Sequence, residues 1–113
     1  MDKITHYRNL IRNLLSRYAD VVSRQARPGM ETVLLFDEER DQYLWMQTGW
    51  RDQQRVHGVT LHIRLRGDKI WIEQDWTEDG IATELMKAGV PPEDIVLAFQ
   101  EPEVRALGEF AVA

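Results

Sequence analysis

Apolar positions over the first two dozen residues recur at helical intervals. Ile4, Tyr7, Ile11, Leu14, Leu15, Tyr18, Val21 and Val22 fall on one stripe, the spacing that lets one face of an α-helix meet a core. The pattern predicts a helix over residues 2–24, closed by Pro28-Gly29. Such a helix would reach about 30 Å, well beyond the radius of about 13 Å expected for so short a chain. Part of it is therefore expected to pack on a second subunit or a partner. Beyond it the period changes to two. Val59, Leu61, Ile63 and Leu65 alternate with Thr60, His62 and Arg64, so the two sets are predicted to face opposite sides of a strand. Similar runs predict strands over 31–36, 43–50, 56–65 and 69–75. The connections at 37–41, 51–54 and 66–68 are short and polar, which makes the neighbours antiparallel.

A second helix is predicted over 78–88, with Thr77 as its N-cap and Ile81, Leu85 and Met86 as its buried stripe. Gly89 and Pro91 end it. One turn at 92–94, a short strand over 95–99 and a helical turn over 102–107 lead to the apolar ending Phe110-Ala111-Val112-Ala113. The whole reads as one α+β domain, residues 1–113: a long N-terminal helix, a four-stranded antiparallel meander, a second helix and a short C-terminal strand. The sequence holds no linker, repeat or low-complexity segment.

Charge changes the picture of what such a domain can bind. The net charge is -5, but residues 1–27 hold six of the 14 Lys and Arg and only two of the 19 Asp and Glu. The acidic remainder repels phosphates, so only the first helix offers a nucleic-acid face. On a helical wheel Arg8 and Arg12 flank one side of its apolar stripe and Arg17 and Arg24 the other. A DNA-reading helix gathers its arginines on one face, so this arrangement argues against direct DNA binding. The chain has no cysteine, which excludes disulfides, thiolate catalysis and cysteine-ligated metals. A charged start and the lack of an apolar run of about 20 residues predict neither a secretory leader nor a membrane span. A cytoplasmic location is expected.

Candidate chemistry is sparse. His57 and His62 stand five apart on one predicted strand and are expected to face opposite sides; His6 lies on the helix, and no ligand spacing joins the three. The turn at Asp37, Glu38, Glu39 and Asp41 gathers acids, which suits a magnesium ion or, more simply, a solvated hairpin turn. Glu73 and Asp75, with Lys69, are expected on one face of the fourth strand. That set resembles a magnesium-dependent nuclease centre lacking its third acid, or a salt-bridged sheet face. Ser16 and Ser23 have no nucleophile motif. Gly67, Gly80 and Gly89 are isolated turn or cap glycines, not a phosphate loop. No catalytic residue, metal or cofactor is expected.

The aromatic side chains point elsewhere. Trp45 and Trp50 are predicted on opposite faces of the second strand, and Trp71 opposite Ile70 and Ile72, on the side of Glu73. A sheet face carrying such residues is either covered by the long helix or an interface for another protein, where Trp is enriched. Candidate contact residues are Trp45, Trp71 and Glu73, with Phe110 and Val112 of the tail. That tail adds a strand either within the domain or to another chain.

An ordered set of segments resembles the XisI family, the controlling factors for excision of the fdxN element in cyanobacteria. It begins with Tyr7-Arg8 and Leu14-Leu15. Phe36-Asp37-Glu38-Glu39-Arg40-Asp41-Gln42-Tyr43, Gly49-Trp50, His62-Ile63 and Lys69-Ile70-Trp71-Ile72-Glu73 follow. The most specific are Asp75-Trp76-Thr77-Glu78-Asp79-Gly80-Ile81-Ala82 and Gly89-Val90-Pro91-Pro92-Glu93-Asp94-Ile95-Val96-Leu97-Ala98-Phe99, before Glu109-Phe110-Ala111-Val112-Ala113. Gln100, Leu107-Gly108 and the turn Arg66-Gly67-Asp68 depart from the family pattern. The resemblance implies an accessory factor for a programmed DNA rearrangement, acting with an XisH-type companion and a site-specific recombinase. It carries over no catalytic residue. The function expected is thus a non-enzymatic regulatory protein, binding a protein partner and forming a homodimer. The alternatives are a DNA-binding recombination directionality factor using the first-helix arginines, and a magnesium-dependent nuclease.

Overall fold

Asp2 opens the first helix. Its carboxylate accepts from the Thr5 amide at 2.7 Å, satisfying one of the free N–H groups of a helix start, and α1 runs over Lys3–Arg24. The computed structural model describes residues 2–25 and 28–113; Arg27, one of the six bases of the first segment, lies outside them. Tyr7, Ile11, Leu14 and Leu15 are buried along α1, with Ile4, Leu10, Tyr18 and Val22 packed beside them. The stripe read from the sequence, except for Val21, which is 52% exposed, is thus the stripe that packs, and it does so against the protein's own sheet.

That sheet contains β1 (Met30–Asp37), β2 (Gln42–Arg51), β3 (Gln54–Arg66), β4 (Lys69–Asp75) and β5 (Ile95–Leu97), in the order β1-β2-β3-β4-β5. The first four form an antiparallel meander. β5 pairs parallel to β4, which requires a crossover; α2 (Ile81–Lys87) and a short turn at Pro92–Asp94 supply it. A last helical turn, α3 (Pro102–Arg105), precedes the tail. The tail finds its strand partner within the domain: Ala111 bridges Val96 in parallel fashion, and its amide donates to the Ile95 carbonyl at 2.8 Å. Arg105 holds the Val112 carbonyl at 2.6 Å.

Leu61, Ile63, Ile70, Ile72, Ile81, Leu85 and Ile95 are fully buried with Ile11, Leu15 and Tyr43. Each such aliphatic side chain contributes roughly 1.5–3 kcal/mol by leaving water. The core therefore lies between α1 and α2 and one face of the sheet.

Two β-bulges alter the alternation expected from the sequence. Trp45 pairs with Leu61 but Met46 with Val59, so Thr60 is an extra residue on β3 and Val59 turns to the face away from the helices. Paired residues share a face, so His57 (opposite Thr48) and His62 (opposite Leu44) both lie on that outer face. The expectation that they point apart is corrected by this one inserted residue. On β4, His62 pairs with Gln74 and Ile63 with Ile72, which makes Glu73 the extra residue. Asp75, opposite Leu61, is turned to the helix side. There it replaces the expected Thr77 cap: its carboxylate accepts from the Thr77 amide at 2.9 Å and from the Ile81 amide at 2.7 Å. The second helix consequently begins at Ile81, after Gly80.

Candidate functional site

The acidic turn and the basic helix, each a separate functional candidate in the sequence, meet one another. Arg8 donates through Nε and Nη2 to the two oxygens of Asp41, at 2.7 and 3.0 Å. Arg12 donates to Glu38 at 2.6 Å, and Arg40 to Asp37 at 3.1 Å. Asp41 also accepts from the Tyr43 hydroxyl at 3.1 Å. The Arg8 hydrogen bonds hold the Asp41 carboxyl below its usual range against the opposing effect of burial. Burial, then Asp41, pushes the Tyr43 phenol up to about 12. Two of the arginines that could have faced DNA are thus used in fastening α1 to the first hairpin.

The other carboxylate candidates are likewise placed apart. Asp75 caps α2 on the helix side, while Glu73 acts on His62 of the outer face. The geometry therefore does not assemble Glu73, Asp75 and Lys69 into a centre. Among the described residues no group of three or more His, Asp or Glu side chains could hold a metal ion.

The aromatic candidates divide between the two faces. Trp45 is 5% exposed and stacks on Tyr18 of α1, ring centroids 5.6 Å apart. With the Gln47 amide oriented to satisfy both groups, the indole N–H donates to it at 3.0 Å. Trp45 therefore belongs to the core and is withdrawn as a contact residue. Phe110 is half-buried against the same core, and Val112 is exposed. Trp71, half-buried on the outer face, donates to the Arg66 carbonyl at 3.1 Å. The guanidinium groups of Arg66 and Arg105 lie 5.0 and 5.8 Å from its ring centre.

Both longer helices lie on the Trp45 side, so the outer face of β1–β4 is open. Its register brings together Val33, Leu35, Leu44, Met46 and Val59 toward β1 and β2. Arg55, His62, Arg64, Arg66 and Trp71 line β3 and β4. Trp50, at the end of the β2–β3 hairpin, is 57% exposed with Arg55 over its ring, and Leu35 is 51% exposed. Sequence reasoning missed Trp50 and the arginines of β3. The signal was present, since Arg55, Arg64 and Arg66 stand at positions flanking an alternating apolar run, but their shared face depends on the bulge at Thr60.

His62 sits within this face with Nε2 2.8 Å from Gln42 Oε1. Burial lowers its pKa below the ordinary value, the nearby Arg64 acts in the same sense, and Glu73 opposes both. As pH falls, the unfolded chain takes up this proton before the folded one. The contribution to stability is therefore present above the ordinary imidazole pKa of about 6.5 and is lost as pH falls from there toward the lowered folded value. Urea midpoints are expected to decline between about pH 7 and 5. In His62→Gln that part of the decline should flatten; an unchanged slope would refute the burial of a neutral ring.

Within the described residues no helix is long and apolar enough to cross a membrane. No curated protein matches the chain. Solved structures do. A XisI-like protein from Anabaena variabilis shares 36% identity, with a TM-score of 0.89 over 96% of this chain and 98% of that one. The fdxN element excision controlling factor XisI from the same organism shares 42% identity, with a TM-score of 0.85 over 99% of this chain and all of the other. The XisI protein family model matches residues 1–112, and with this helix, sheet and tail in common the chain belongs to the XisI family.

Proposed function

We propose that this protein is a non-enzymatic accessory factor in the control of DNA element excision, acting by contact with an XisH-type companion protein. It works as a homodimer in the cytoplasm, in keeping with the expectation from sequence. The observation that carries this reading is the open sheet face. Aromatic, aliphatic and arginine side chains stand together there, the residue types that dominate protein interfaces. Family membership supports the biological setting, since a solved relative is named as the excision controlling factor. The competing DNA-directed reading loses support from the pairing of Arg8 and Arg12 with Asp41 and Glu38.

The test is co-expression with an XisH-type companion carrying the only affinity tag, followed by capture and light scattering. Stoichiometric co-purification of this chain is the expected result. A tagged companion recovered alone, with this protein eluting by itself, would overturn the reading.

A further inference from the structure

The open face gathers arginines that, among the described residues, meet no carboxylate. Arg55, Arg64 and Arg66 all occupy it, on one strand, in a chain whose acids outnumber its bases by five. Elsewhere Lys3, Arg8, Arg12, Arg40 and Lys87 each meet a carboxylate. Among the described residues none of the three β3 arginines does. Arg55 turns to the Thr48 hydroxyl, at 3.2 Å, and to the ring of Trp50. Arg66 rests on the ring of Trp71. Arg64 is half-buried, and its Nε–H is a buried donor without a hydrogen-bond partner. A buried unsatisfied donor is rare, and a charged one more so.

We infer that the open face of β1–β4 docks an amphipathic acidic segment of a partner protein, whose carboxylates pair with Arg64 and Arg66 while its apolar side chains cover Leu35, Leu44, Met46 and Val59. The inference rests on the protein-contact reading above and names the partner's chemistry. Residues two apart on a strand stand about 7 Å apart, the spacing of two strand residues in a partner and within reach of long Glu side chains about 5.4 Å apart along one helical turn. A guanidinium binds a carboxylate through two parallel hydrogen bonds. Nucleic acid fits less well than an acidic protein. The β1–β2 half offers phosphates aliphatic side chains and the carboxylates of Glu31 and Asp37 but no arginine, and an extended polyanion running past the face meets an acidic surface.

The test titrates the intact protein into a labelled helical peptide with Glu on one face and Leu on the other, read by fluorescence anisotropy. A Lys-for-Glu peptide and a single-stranded oligonucleotide serve as comparators. Binding of the acidic peptide alone is expected, weakening as salt rises to about 0.5 M and falling about tenfold in Arg64→Met. The Met side chain keeps the aliphatic stem, and Arg66→Met provides a second, more exposed variant. Equal binding of the basic peptide, tighter binding of the oligonucleotide, or no binding would overturn the inference. Companion capture separates the two proposals. Capture undiminished by both Met variants overturns this surface and leaves the protein-contact reading standing. Failed capture with the peptide still bound does the reverse.

Discussion

Asp94→Ala is expected to destabilise the protein by about 3 kcal/mol, the scale of a buried charged group removed from its partners. Asp94 is a polar side chain set among core residues, 8% exposed. Its Oδ2 accepts from the Tyr7 hydroxyl at 2.5 Å and lies 2.8 Å from the Lys3 ammonium. The contact ties the start of α1 to the turn that leads into β5, 87 residues apart. Alanine would leave the Tyr7 hydroxyl, in a residue 4% exposed, without an acceptor. For a domain of this size the loss corresponds to roughly 10 °C in Tm.

The same site carries a pH signature. Burial alone would raise the Asp94 pKa, but hydrogen bonds from Lys3 and Tyr7 outweigh it and hold the group below its ordinary value. The stabilisation is therefore complete above about pH 4 and is lost as pH falls through the lowered folded pKa. Thermal unfolding of Asp94→Ala, Tyr7→Phe and the double variant gives the coupling directly. The double variant should cost less than the sum, because Tyr7→Phe removes the donor that alanine strands. Additive losses would refute the shared hydrogen bond.

Much of this architecture was legible in the sequence for a simple reason. A helix stripe and a strand alternation are local patterns, and α1 and β4 fall within a residue or two of where those patterns place them. What escaped was decided by single inserted residues and by partners far apart in the chain. Thr60 and Glu73 have no composition that marks a bulge, yet they move Val59, His57 and Asp75 to the opposite side from the one alternation predicts. Arg8 and Asp41 are separated by 33 residues, so neither the helix nor the turn alone revealed that each would neutralise the other. The capping of α2 by Asp75 follows from the first cause, since the bulge at Glu73 turns Asp75 to the helix side and its carboxylate reaches the Ile81 amide. The open face was out of reach for a related reason. Both sides of the sheet carry tryptophan, so pattern could not say which side α1 would cover.

Gly49→Ala is the other substitution expected to have a large effect, about 3–5 kcal/mol, because nearby backbone leaves no room for a side chain and the φ angle disfavours one. Gly49 has φ 146°, which L-residues rarely adopt. A Cβ there would stand 2.0 Å from the Gly29 carbonyl oxygen and 2.9 Å from the Met30 Cα. Neither atom can rotate away as a flexible side chain would. The Gly29 oxygen is also committed, since it accepts from the Trp50 amide at 3.0 Å. Relief therefore requires the start of β1 to move off β2, breaking the pairing of Met30 with Gly49 and of Glu31 with Thr48. Overpacking and backbone strain each cost about 1–3 kcal/mol, and here they act together. Gly58 provides the contrast. It lies on the neighbouring strand with nothing within 4 Å of where a Cβ would stand, so Gly58→Ala should stay within about 0.5 kcal/mol. Amide exchange would locate the damage. Faster exchange confined to β1 is the expected pattern for Gly49→Ala, because β1 is an edge strand whose ladder is with β2. A stable Gly49→Ala protein with a protected β1 would mean that the first strand does not approach the second in this register.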